Sequence, residues 1–121
     1  MDIKSYPIFY SQQKQNLIKR NYNEIYAHEL AHKQAGGHLA GNIVIEKNAE
    51  GIPVSGHVSI SMPSIDKNNP QKTIEEADIV IKSALAPSEP SEQDYKVADR
   101  AKIIKQEAEI IQNKKGLDYY A

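Results

Sequence analysis

The sequence predicts an α+β fold made of one long helix, a β-hairpin and two further helices. Three observations carry that prediction. Ser11 to Ala35 contains neither proline nor glycine, composition turns β-branched and alternating after Gly41, and two later stretches carry apolar stripes of helical period. The chain has 121 residues, about one domain's worth, so 1–121 is read as a single unit whose ends, 1–10 and 117–121, are the places to fray.

The first helix is expected from Ser11, a suitable N-cap, to the Gly36-Gly37 pair. At 100° per residue Leu17, Ile18, Ile25, His28, His32 and Ala35 share one broad face, which turns both histidines toward the core. Asn42 to Lys47 then reads as a strand, Asn48 to Gly51 as a turn, and Val54 to Met62 as a second, alternating strand. In that strand Val54, Val58, Ile60 and Met62 are expected to face inward. Ser55, His57, Ser59 and Ser61 line the other face, with Gly56 leaving space beside His57. Asn69-Pro70 is an N-cap followed by proline at the first helical position, and the helix it opens runs to about Leu85 on Ile74, Ala77, Ile81, Ala84 and Leu85. The segment APSEPS, 86–91, breaks that helix. Ser91 caps a last helix to about Lys115, with Val97, Ala101, Ile104, Ala108 and Ile111 on its apolar side and Gly116 as its stop.

Composition removes several functions. Cysteine is absent, so neither disulfides nor thiolate metal sites are available, and a metal must be held by His, Asp, Glu or backbone oxygen. The 15 basic and 16 acidic residues are interleaved, which leaves no basic stripe to follow a phosphate backbone and argues against nucleic acid as a partner. The opening MDIKSYPIFYSQQKQ has no signal-like apolar run, and no segment approaches a membrane span, so the sequence reads as a soluble cytoplasmic protein.

The segment His28-Glu29-Leu30-Ala31-His32 is the one that carries chemistry. Histidines at i and i+4 lie one turn apart on a helix face and can share a single Zn²⁺, while the glutamate between them is rotated away from the ligand positions. Zinc lowers the pKa of a bound water to roughly 7, and a free carboxylate beside it can take the proton as the water attacks a polarised carbonyl. The bland alternative is a pair of core histidines that hydrogen-bond within the fold. Two adjacent imidazoles in an apolar stripe are costly without a shared partner, which favours the metal.

A catalytic zinc wants a third protein ligand and one open position. His38 stands six residues after His32, as does the third histidine of the HExxHxxGxxH pattern, although Ala35 occupies the glycine position of that pattern. His57 on the hairpin is a second candidate. Glu75 or Glu76 is a third, and both also suit the first turn of a helix as dipole-stabilising acids. Tyr22 and Tyr26, on the ligand helix, are read as packing residues with wet hydroxyls.

The ordered motifs EIYAHELAHKQAGG, SGHVSIS and KTIEEADIVIKSALAPSEPSEQDYKVADRA resemble the SprA-related family of bacterial metallopeptidases, a resemblance that covers the chain from about Glu24 to Ala108. The resemblance implies a minimal zincin-like domain with an HExxH zinc site. In that family the position of His57 is usually glutamate, in a GGEV-like motif, and the position of His38 is not regularly histidine, which implies His57 as the third ligand. The expected function is zinc-dependent hydrolysis of a peptide or protein substrate, with His28, His32 and His57 as ligands and Glu29 as catalytic base. The competing expectation is a non-catalytic, zinc-stabilised interaction module in which His38 closes a four-histidine site. The last helix, with its heptad-like spacing, also suits pairing with itself or a partner, though a stripe of this kind usually packs within its own chain, here over the metal helix and hairpin.

Overall fold

The computed structural model describes residues 6–120, with side chains from 11 to 115. Helix α1 (Tyr6–Gly36) is followed by a short 3₁₀ turn (Gly37–Leu39), an antiparallel hairpin of β1 (Ala40–Lys47) and β2 (Pro53–Ile60), and helices α2 (Pro70–Ala84) and α3 (Glu92–Tyr120). This is the expected α+β arrangement of one long helix, one hairpin and two more helices. No helix among the described residues is long and apolar enough to cross a membrane.

The first helix begins earlier than Ser11, at Tyr6. Pro7 does not prevent this, because the first turn has no intrahelical partner for the N–H that proline lacks. At the other end Gly37 takes a φ of +52°, the left-handed conformation that ends the helix as the double glycine suggests. Lys33 Nζ then donates to the Gly41 carbonyl at 2.9 Å and ties the helix end to the start of β1.

Helix α1 packs against the hairpin and against α2, so its buried arc is wider than one stripe. Ala35 is exposed, while Gly36 is buried under Ser83 and Ile60. Glu29 is buried as well, although the helical wheel rotates it away from the histidines. The cause is Gly56. A Cβ built there would lie 2.6 Å from Ile25 Cγ2 and 3.0 Å from Glu29 Cγ, so the missing side chain is what admits β2 onto this part of α1. The space at Gly56 therefore serves Ile25 and Glu29 of α1, where the sequence suggested room for His57.

The hairpin turn is closed by Asn48, whose Oδ1 accepts from the backbone N–H groups of Glu50 and Ile52 at 3.0 Å each, with Gly51 at φ +79°. Register pairs Glu46 with Ser55 but Lys47 with Pro53, so Val54 is an extra residue. That bulge throws Val54 outward, to 57% exposure, and spoils the expected inward alternation at this one position. Pro53 turns inward instead, its carbonyl accepting from Asn21 Nδ2 at 3.1 Å.

Asn69 caps α2 as expected, its side chain accepting from the Lys72 N–H at 3.3 Å. Helix α3 lies along α2, where the sequence suggested that it would cover α1 and the hairpin. The seam is made of small residues: Ala77, Val80 and Ala84 of α2 and Ala98, Ala101 and Ala108 of α3 are buried. Val97, Ile104 and Ile111 are only half-buried, because alanines let the helices approach too closely for larger side chains at the centre. Gly116 does not stop α3, which continues to Tyr120; a helical glycine costs about 1 kcal/mol relative to alanine and ends a helix only where the chain turns. The side chains of residues 117–121, read as a place to fray, lie outside the described residues.

Gly56→Ala should lower the unfolding free energy by about 1–3 kcal/mol in a denaturant titration, the scale of overpacking a tight contact. Gly41→Ala is the control. Its Cβ would meet Ser59 at ordinary distances of 3.4 and 3.6 Å, and the change should stay under about 1 kcal/mol.

Candidate metal centre

One helical turn separates His28 from His32, and their rings meet edge to face with the two Nε2 atoms 3.2 Å apart. His32 is the anchored member. Its Nδ1 lies 2.7 Å from the Ser83 carbonyl, and the Ser83 hydroxyl donates to the His32 carbonyl at 2.6 Å. A carbonyl oxygen only accepts, so the ring hydrogen sits on Nδ1 and the neutral ring presents an Nε2 lone pair. His28 is more open, with 30% of its side chain exposed against 8% for His32.

The first turn of α3 brings Asp94 to the same point. Its Oδ2 lies 3.2 Å from His28 Nε2 and its Oδ1 lies 3.2 Å from His32 Nε2. The carboxylate is held by a reciprocal cap: the Ser91 N–H donates to Asp94 Oδ2 at 2.8 Å, and the Asp94 N–H donates to Ser91 Oγ at 3.1 Å. A lone pair facing a carboxylate oxygen at this distance is repulsive unless positive charge lies there. Either a second ring proton or a cation meets that need.

Glu29 completes the cluster. Ligand atoms of His28, Glu29 and His32 all lie within 4.8 Å of one another, and the three can hold a metal ion. Glu29 nonetheless stands beyond ion-pair distance of both rings, unlike Asp94. Burial pushes its carboxyl above the usual range, an effect opposed by the adjacent His32 and His28. The cluster lies in a cleft of about 440 Å³ whose walls include Gly56, His57, Val58 and Ile60 of the hairpin, Ala84 of α2, and Asp94 and Val97 of α3.

The other two histidines are not among these clustered ligand atoms. His57 borders the cleft, but it lies on the outer face of β2 with Nδ1 3.4 Å from Glu46 Oε1, its side chain more than half exposed. His38 is exposed on the 3₁₀ turn and does not line the cleft. Glu75 is exposed and accepts from Gln71 on α2, and Glu76 borders a separate hollow beside Asp66 and Lys72. The structure thus assembles His28, His32, Glu29 and Asp94, and adds Ser83 as the support of His32.

Sequence reasoning passes over the last two. Ser83 is a polar residue on the buried side of α2, a position that reads as a break in an apolar stripe. Asp94 follows Ser91 in the spacing of a capping box, and that helix-start pattern accounts for it without any reference to the histidines.

Among known proteins, neither the curated sequences nor the solved structures contain a match to this chain. The family comparison does, over residues 8–113, which include α1 from its third residue, the hairpin, α2 and α3 up to its last two turns. With most of its length matched, the chain belongs to the SprA-related family.

Proposed function

We propose that the protein is a zinc-dependent peptidase in which His28 and His32 hold the metal and Glu29 is the general base. The observation that carries this reading is the convergence of two imidazole Nε2 atoms, 3.2 Å apart, beside a buried carboxyl in an open cleft. Nitrogen donors at 2.0–2.1 Å from a tetrahedral ion stand roughly 3.3 Å from each other, so the spacing suits one shared ion. Two imidazoles with carboxylates and no thiolate favour zinc over the hard cations magnesium and calcium, which take oxygen shells. The hydrogen bond from His32 Nδ1 to Ser83 is the kind of support that orients a ligating ring.

Bound zinc supplies Lewis-acid polarisation of a carbonyl and makes water nucleophilic near neutral pH. The protein's own residues do the rest. Glu29 is set back from both rings, leaving room for a water molecule between, and its raised affinity for protons suits it to take one and return it to a leaving amine. Val58, Ile60, Ala84 and Val97 give the cleft apolar surface, and its volume falls within the range of small-molecule sites, enough for a few residues of an extended peptide.

The closed four-histidine alternative draws less support, because His38 does not line the cleft and His57, which borders it, pairs with Glu46. Elemental analysis of the purified protein after mild dialysis should find about one zinc per chain. A content near zero that added zinc does not restore at neutral pH would remove the proposal. Glu29→Gln should keep the zinc and the fold but lower peptide hydrolysis by about 10²-fold or more, since an amide cannot accept the proton. Undiminished hydrolysis in that variant would place the base elsewhere.

A further inference from the structure

We propose that Asp94, delivered by the first turn of α3, is the third protein ligand of the metal. The proposal rests on the reading of His28 and His32 as metal ligands and extends it to a residue on a different helix. The two Asp94 oxygens stand 3.2 Å from the two imidazole nitrogens, which are themselves 3.2 Å apart. Neighbouring donors on a tetrahedral zinc stand about 3.3 Å apart, so the carboxylate, with one oxygen facing each imidazole, lies at the separation a shared coordination shell requires. Glu29 fits the role less well because it stands farther from both rings, beyond ion-pair distance. His57 faces Glu46, and His38 is exposed away from the cleft.

The electrostatics agree. A His32 lone pair directed at a carboxylate calls for positive charge between them, which a shared cation would supply, and Asp94 brings a negative charge to a largely buried point where two neutral imidazoles would otherwise face a dication. The reciprocal cap with Ser91 fixes the carboxylate before any metal arrives. The segment before it, 86–91, thereby acquires a task beyond joining two helices: it sets the position at which α3 starts, and with it the third ligand. Metal binding clamps the start of α3 onto α1.

The test is zinc affinity of the full chain, measured by competition with a chromophoric chelator, together with the rise in Tm on adding zinc. Asp94→Asn keeps an oxygen that can accept from the Ser91 N–H, and far-UV circular dichroism without metal checks that it folds. It should weaken zinc binding by roughly 100-fold or more, beyond the usual loss of a supporting hydrogen bond, and abolish most of the zinc-induced rise in Tm. Ser91→Ala removes half of the cap but keeps the carboxylate. It should lower Tm with and without zinc yet leave affinity within about threefold. His57→Ala and His38→Ala should also stay within about threefold. Wild-type affinity in Asp94→Asn, or an equal loss in Ser91→Ala, would overturn the assignment and leave the His28 and His32 site standing. Greater loss in His57→Ala or His38→Ala would overturn it in favour of that histidine. No zinc binding by the wild-type chain would overturn the metal reading itself, and this inference with it.

Discussion

His32 is bound to α2 through both its ring and its backbone, and the rest of the site depends on that attachment. Ser83 accepts from the ring and donates to the His32 carbonyl, so one residue fixes the tautomer, the ring plane and the distance between two helices. Because Nδ1 is committed to a carbonyl, Nε2 of the neutral ring is left with its lone pair directed at His28 and Asp94. Every buried polar side-chain atom among the described residues has a hydrogen-bond partner, and His32 is held in such a network through Ser83. Such a network is rigid, and a rigid ring pre-positions a ligand at little entropic cost.

Three elements converge on the anchored ring. Helix α1 brings Glu29 and His28 by spacing alone. The hairpin covers Glu29 only because Gly56 lacks a side chain, and the resulting burial raises the proton affinity of that carboxyl. Helix α3 contributes Asp94 from its capped first turn, while its alanine seam with α2 holds that turn at the right height. A domain with so few large buried side chains gains modestly from its core, and a metal that joins α1 to α3 would add a tertiary link where apolar packing is thin.

The long helix, the hairpin, the capped second helix and the HExxH pair are legible in the sequence because each is specified locally: by the lack of breakers, by Asn48 and Gly51 in the turn, by Asn69-Pro70, and by i, i+4 spacing. What escapes is what depends on two elements meeting. Glu29 is buried because a strand crosses it, which no helical wheel contains. Val54 faces outward because a bulge shifts its register. Asp94 reads fully as a helix cap, and its second set of contacts appears only when α3 is laid beside α2 and its start comes to rest on α1. His57 draws attention as a histidine beside a glycine on a strand, yet the pleat sends its ring to the outer face toward Glu46.

The most direct test of the account is crystallographic. Crystals grown with zinc, measured on both sides of the zinc absorption edge, should give one strong anomalous peak per chain about 2.0–2.1 Å from His28 Nε2 and His32 Nε2. No peak there, with the two rings still in contact with each other and with Asp94, would mean that a proton rather than a metal holds the cluster together, and would contradict the central claim.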